Sequence, residues 1–219
     1  MSERIAVVLS GCGFLDGAEI HESIATLLAI DRARAQAFCF APNIDQMHVV
    51  NHLAGKPTDE SRNVLMEAAR ITRGKIRDLK EAKISEFDAL VFPGGYGAAK
   101  NLCNFATAGA TFTVLPELQE LIRAVYEAKK PIGVACIAPV VVAKALEGKQ
   151  LELSIGCDKD VAAVIEKLGH KHINLQVRQA HVDKTNRVVS TPAYMYDNAR
   201  ISEVVDGIDS MIHAILELC

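Results

Sequence analysis

The chain has 219 residues, 50% hydrophobic, 23% charged and 5% aromatic, a composition that excludes disorder and collagen-like repeats. A fold of this length buries roughly 70–75% of the surface its unfolded chain exposes, enough for one large core, so a single domain over residues 1–219 is expected. Its 24 Lys and Arg against 27 Asp and Glu leave a formal net charge of -3, which offers no broad attraction for a phosphate backbone or an anionic membrane and argues against nucleic acid as a partner.

Ile5 to Leu9 is a short apolar run ending at a Gly-containing loop, the pattern of a strand buried on both faces. From Glu19 to about Arg34, Ile20, Ile24, Leu27 and Leu28 keep helical spacing, with Asp16 as a cap or turn residue. Ala37 to Ala41, stopped by Pro42, and Phe87 to Phe92, stopped by Pro93-Gly94-Gly95, predict two further strands, with a helix over Glu60 to Arg73 between them. Pro116 opens a helix to Lys129 that carries Leu118, Leu121, Ile122 and Val125 on one face, and Ile132 to Ala135 follows as a strand. Ala138 to Leu146 predicts a helix, Gln150 to Ile155 a strand, Asp160 to Leu168 a helix, Gln179 to Arg187 a hairpin-like stretch, Val188 to Ser190 a last strand, and Ala199 to Leu218 a C-terminal helix.

Strand and helix alternate throughout, so the expected architecture is an α/β flavodoxin-like three-layer sandwich, a mostly parallel sheet with helices on both faces. The six cysteines are scattered without clip or zinc-ribbon spacing and read as reduced thiols. The N-terminus runs directly into the first strand, without a signal-length or membrane-spanning apolar region, and the expected address is the cytoplasm.

Ligands of such sheets bind outside the carboxyl ends of the strands, which directs attention to three loops. Cys136 stands where a buried strand hands over to an apolar helix, in Gly133-Val134-Ala135-Cys136-Ile137-Ala138-Pro139, the shape of a nucleophile elbow. The helix dipole and free N–H groups there predict a lowered thiol pKa; the plainer alternative is a small core residue. Val134 takes a place where a small residue is usual, which weakens the expected strain. Gly94 and Gly95 can present N–H groups to a developing oxyanion beside that of Ile137. Asp16 to Glu22 enters the first helix with carboxylates and an imidazole, of which Glu19 is explained by the macrodipole alone and Glu22 is not.

Other residues admit two readings. Lys100 and Asn101 either bind a substrate carboxylate or carbonyl or simply start a helix, and Tyr194 is similar. Cys12 either neighbours Cys136 in the pocket as a redox partner or packs as a small residue. His48 and His52 have the spacing of ligands on one helix face, with a structural or surface pair favoured over a metal site. His181, His170 and His172 read as solvated.

Together Ser10-Gly11-Cys12-Gly13, Asp16 to Glu22, Pro93 to Leu102, Cys136-Ile137-Ala138-Pro139 and Thr191-Pro192-Ala193-Tyr194 resemble the ElbB family, named for enhancing lycopene or isoprenoid biosynthesis. That family lies in the class I glutamine amidotransferase-like, PfpI-type superfamily, which includes cysteine-dependent glyoxalases, deglycases, chaperone-like proteins and proteases. The resemblance implies Cys136 as nucleophile, Glu22 as the glutamate that reaches the thiol, and Gly94-Gly95 as the oxyanion element. It also implies a homodimer, a small aldehyde substrate, and neither cofactor nor metal. The superfamily's histidine at the following strand end is missing from Leu153-Ser154-Ile155-Gly156-Cys157-Asp158, which argues against glutamine amidotransfer. The expected activity is a glutathione-independent glyoxalase using Cys136, with Glu22 or His21 as acid/base and Gly95 and Ile137 as oxyanion donors. The alternative is a non-enzymatic or redox-sensing accessory protein linked to isoprenoid metabolism.

Overall fold

The computed structural model describes residues 2–219. The chain runs β1 (Arg4–Val8), α1 (Ile20–Arg32), β2 (Gln36–Ala41), β3 (Val49–Asn51), β4 (Lys56–Thr58), α2 (Val64–Ile71), β5 (Arg77–Asp78) and β6 (Ala89–Phe92). Two short helices, α3 (Tyr96–Lys100) and α4 (Phe105–Ala108), precede α5 (Pro116–Glu127), β7 (Ile132–Ala135) and α6 (Pro139–Ala145). Then come β8 (Glu152–Leu153), α7 (Lys159–Lys167), β9 (Lys171–His172), β10 (His181–Asp183), β11 (Val188–Thr191) and α8 (Ile201–Leu218).

One seven-stranded sheet in the order β10-β11-β7-β6-β1-β2-β5 organises these elements. Its pairs are parallel except for the β10–β11 hairpin at one edge. The central strands β1, β6 and β7 are apolar and buried on both faces, as parallel strands between helix layers must be. Helix α1 packs with α8 over one face and α5 with α6 over the other, the expected three-layer arrangement. The strand order turns between β1 and β6: the chain leaves β1 toward β2 and β6 toward β7, so a crevice opens above their carboxyl ends.

Several elements depart from the pattern read in the sequence, each for a local reason. The strand expected over Gln150 to Ile155 shrinks to β8, which pairs with β9 outside the main sheet. Its backbone donors go to side chains: Glu152 N–H to Asp183 Oδ2 and Ser154 N–H to Ser190 Oγ. Helix α2 starts late because the Asn63 side chain caps it, accepting from Met66 N–H. The cap of α1 is Glu19, since the Asp16 carboxylate instead holds Val50 N–H at 2.7 Å. The apolar spacing of α1 is misleading as well. Ile20, Ile24 and Leu28 face outward, and the helix buries Glu22, Ser23, Ala25, Thr26, Ala29 and Ile30. Small side chains on that face let α8 lie close.

Helix α8 also lies close to β11 and the loop before β10: an added Cβ at Gly207 would stand 2.3 Å from the Val177 carbonyl oxygen and 2.7 Å from Thr191 Oγ1. Helix propensity alone favours Gly207→Ala by about 1 kcal/mol. The backbone clash outweighs it, and the substitution is expected to lower stability by roughly 1–3 kcal/mol in urea titration; an unchanged or higher midpoint would show that α8 shifts freely.

Candidate active site

Cys136 follows β7 directly and adopts φ +56, a left-handed conformation that L residues with a Cβ take only at a cost. The strained turn therefore forms despite Val134, correcting the weaker elbow expected from that residue. Cys136 N–H donates to the Thr191 carbonyl at 3.0 Å, which ties the turn to the end of β11. The side chain is 7% exposed. The N–H groups of Gly95 and Ile137 act to hold charge on its sulfur, and the Glu22 carboxyl acts against it.

Glu22 is 0% exposed. Its position in the first turn of α1 is set by Glu19, whose Oε2 accepts Glu22 N–H at 2.7 Å. The Glu22 carboxyl accepts Gly94 N–H at 2.7 Å on Oε2 and Tyr194 N–H at 3.2 Å on Oε1. Gly94 N–H is thus committed to Glu22, which corrects the expectation for Gly94 as an oxyanion donor and leaves Gly95 as the glycine whose N–H acts on the sulfur. Gly94 nevertheless has to be glycine. An added Cβ would lie 2.3 Å from Cys136 Cβ and 2.6 Å from Glu22 Oε2. At Gly95, φ is +94 and an added Cβ would meet Glu19 N and Gly17 O at 2.4 Å, so the β6 loop and the β1 loop touch backbone to backbone.

Burial, and next the neighbouring Glu19 charge, push the Glu22 carboxyl up to about 7; donors from Tyr194, Gly94 and Cys136 pull it back. Burial followed by the Glu22 charge pushes the Cys136 thiol well above its ordinary value, while the Gly95 and Ile137 N–H groups oppose this. The lowered thiol pKa expected from the helix start is therefore overturned: desolvation and a carboxylate in contact outweigh two N–H dipoles. The two groups are coupled: below about 7 both hold protons, and above it the one remaining proton stays with the thiol.

Cys136 lines a cavity of about 500 Å³, and Glu22 lies sealed behind it, outside the lining. Gly95, Ile137, Cys136 and His21 line it, and His21 Nδ1 lies 2.9 Å from the Tyr194 hydroxyl. Tyr194 thus belongs to the site twice, through its hydroxyl side and through its N–H on Glu22. Glu19, read from sequence as a dipole complement, also lines the cavity. So does Asp158, in the segment that lacks the superfamily histidine. Asp197 and Phe14 were not singled out by any spacing; both lie on loops that only tertiary folding brings to the rim.

Other candidates belong elsewhere. The Lys100 ammonium is held by the Leu15 carbonyl at 2.7 Å rather than in the cavity. Asn101 is buried as a clamp, donating to the Ser10 and Asp16 carbonyls at 2.8 Å each and accepting from Met47 N–H at 3.0 Å. Cys12 does not line the cavity; burial pushes its thiol up, next to the Glu67 charge. His48 and His52 flank β3 of a hairpin rather than sharing a helix face. His52 instead accepts Leu15 N–H at 3.3 Å and meets the Phe14 ring edge-on, 5.4 Å between centroids. Among the described residues no three His, Cys, Asp or Glu gather to hold a metal. His170 is buried, its Nδ1 accepting from Leu151 N–H and its Nε2 2.8 Å from the Ala143 carbonyl. His172 Nε2 accepts Ile155 N–H at 3.4 Å, and His181 pairs with Glu152 at 2.9 Å, so neither is simply solvated.

Known structures give the class. Drosophila melanogaster DJ-1beta aligns at 17% identity and TM-score 0.52, covering 100% of this chain and 96% of its own, a likeness of fold alone. A crystal structure of an isoprenoid biosynthesis protein with amidotransferase-like domain from Ehrlichia chaffeensis aligns at 39% identity and TM-score 0.92, over 99% of this chain and 100% of that one. The fold is the class I glutamine amidotransferase-like, DJ-1/PfpI fold. No protein-family model matches the chain. In sequence it is 46% identical to the human glutamine amidotransferase-like class 1 domain-containing protein 3, mitochondrial, over 98% of this chain and 83% of that protein. It is 44% identical to the rat ES1 protein homolog, mitochondrial, over 98% and 84%. The chain belongs to the ES1 family of glutamine amidotransferase-like class 1 proteins, the ElbB type. Those mammalian relatives are named mitochondrial, which lends no support to a cytoplasmic address; among the described residues no helix is long and apolar enough to cross a membrane.

The buried carboxyl has a thermodynamic consequence. In the folded chain Glu22 keeps its proton up to about 7, whereas its ordinary value is 4.5. Between those values the native state binds more protons than the unfolded state, so stability falls as pH rises through the window. The loss from this one group is on the order of 3 kcal/mol. Urea midpoints of wild type and Glu22→Gln measured from pH 4 to 8 are expected to diverge in slope, the variant lacking this decline; parallel profiles would remove Glu22 as the source.

Proposed function

We propose that the protein is a glutathione-independent glyoxalase that converts glyoxal, or methylglyoxal, to the hydroxyacid. The observation that carries the reading is Cys136 on the wall of an open cavity with the fully buried Glu22 carboxyl beside it, and Gly95 and Ile137 N–H groups that act to hold charge on the sulfur.

The chemistry follows from where the shared proton sits. With it on Glu22, Cys136 is a thiolate and attacks one aldehyde carbon, forming an S–C bond. The former carbonyl oxygen takes the negative charge beside the Gly95 and Ile137 N–H groups and then receives the Glu22 proton. The hemithioacetal C–H proton passes to the Glu22 carboxylate or to His21, giving an enediol, and a proton is returned to the second carbon. The product of this internal oxidation and reduction is a hydroxyacyl thioester; water cleaves the S–C bond, releasing the hydroxyacid and regenerating the thiol. The sum is glyoxal plus water to glycolate and a proton, with no external oxidant. His21, 2.9 Å from the Tyr194 hydroxyl, is the histidine at hand for the proton steps, and it comes from α1 rather than from the strand end where the superfamily carries one.

Purified protein is expected to form glycolate from glyoxal, Cys136→Ala to abolish it, and Glu22→Gln to lower kcat roughly 10²–10⁴-fold with little change in KM. Full turnover by Cys136→Ala overturns the reading. Wild-type protein that turns nothing over, while peroxide oxidises Cys136 selectively, would put the redox-sensing role in its place.

A further inference from the structure

The proposed reaction leaves most of the cavity unused. Glyoxal is no larger than two or three waters of about 30 Å³ each, and the cavity measures about 500 Å³, within the roughly 300–1,000 Å³ of sites that enclose much larger organic ligands. Away from the sulfur its walls are aromatic or aliphatic, with Phe14, Tyr96, Phe105, Val161 and Met195 among them. Its ionisable members have one sign apart from His21: Glu19, Asp158 and Asp197 are all acids. Among the described residues no Lys or Arg lines it. The cation next to it, Lys100, is turned onto the Leu15 carbonyl with its ammonium 5.7 Å from the Tyr96 ring centroid. The acids act within the cavity: after burial, the Asp197 charge is the leading cause that pushes the Tyr96 hydroxyl up, with Cys136 and Asp158 adding to it.

We propose that the site takes an uncharged or cationic carbonyl compound with an aryl or branched alkyl arm, an α-oxoaldehyde on the glyoxalase reading it rests on, and rejects counterparts bearing carboxylate or phosphate. The arm gains by leaving water for the apolar wall. An anionic group loses its hydration among acids, with no cation to pair it. The ligand class is thus set by what the wall lacks as much as by what it offers.

The test labels Cys136 with methanethiosulfonates that differ only in the arm: trimethylammonioethyl, sulfonatoethyl, methyl and benzyl. Peptide mapping assigns the label, since Cys157 and Cys219 are also exposed, and each rate is divided by that of 2-mercaptoethanol. The cationic reagent is expected to outpace the anionic one on the order of tenfold or more, and benzyl to outpace methyl similarly. Asp158→Asn combined with Asp197→Asn should shrink the charge ratio and spare the benzyl ratio. Turnover of phenylglyoxal should likewise exceed that of glyoxal and of 4-carboxyphenylglyoxal in kcat/KM. Labelling ratios near one, or an anionic preference, overturn the inference even if glyoxal is consumed. Preserved ratios with no aldehyde turned over sink the glyoxalase reading instead and uphold the selectivity of the pocket.

Discussion

Two acids buried in contact, the Glu22 carboxyl and the Cys136 thiol, impose the constraint that the rest of the site answers. Glu22 has no access to water and Cys136 meets it only through the cavity, so both cannot be ionised together without a weakly screened repulsion. The protein offsets the first negative charge with backbone dipoles alone. Gly94 and Tyr194 N–H groups serve the carboxyl, and Gly95 and Ile137 N–H groups serve the sulfur. Backbone donors are fixed by the fold, so they favour charge at set points without a rearrangement during reaction.

That choice explains why the site is assembled where it is. Backbone can approach backbone this closely only at the crevice where the strand order turns, and only if the loops after β1 and β6 lack side chains at their contact. Glu19 N–H donates to the Gly94 carbonyl at 2.9 Å and Gly97 N–H to the Gly17 carbonyl at 2.9 Å, so the two loops are stitched as one layer. Asn101 and Lys100 bind the same layer from behind, and the β3–β4 hairpin pins it through Val50 N–H on Asp16. Residues that looked like ligand groups in sequence are therefore the fasteners of a loop, a role chemically indistinguishable from substrate binding until the partners are seen.

The layers of the fold were legible because their signal is local: apolar runs stopped by Gly or Pro, and periodic helices between them. Ile132 to Ala135 read directly; the strand expected over Phe87 to Phe92 forms over Ala89–Phe92, and of the expected α5 face Leu118, Ile122 and Val125 are buried while Leu121 is only partly so. Where pairing depends on distant side chains the reading failed, as at β8, whose donors are taken by Asp183 and Ser190. Helix α1 failed differently: its apolar stripe is exposed while Glu22 is buried, because the inward face is chosen for close approach and for the site rather than for hydrophobicity. Cys136 was marked by its position at a punctuated strand end, and Glu22 by the family resemblance. Asp158, Asp197 and Phe14 carry no such mark, since their place on the rim depends on how three separate loops stack.

The direction of the thiol pKa shows what a sequence argument of this kind omits. A helix start favours a thiolate, and the two N–H groups on the sulfur do act in that sense, yet burial and Glu22 outweigh them. The result is a coupled pair in which the thiol holds its proton more firmly than the carboxyl, instead of a permanently ionised cysteine. Such a pair responds to whatever enters the cavity. An anion beside it raises the cost of either buried charge and draws a second proton in, which quenches the nucleophile. A neutral or cationic ligand leaves the pair singly protonated and lets the charge move to sulfur as the S–C bond forms. The acidic wall acts on the pair from the outset: after burial, the Glu19 charge is the leading cause that holds the Glu22 carboxyl up to about 7, and so keeps a proton on the group that the first step asks to give one to the substrate oxygen.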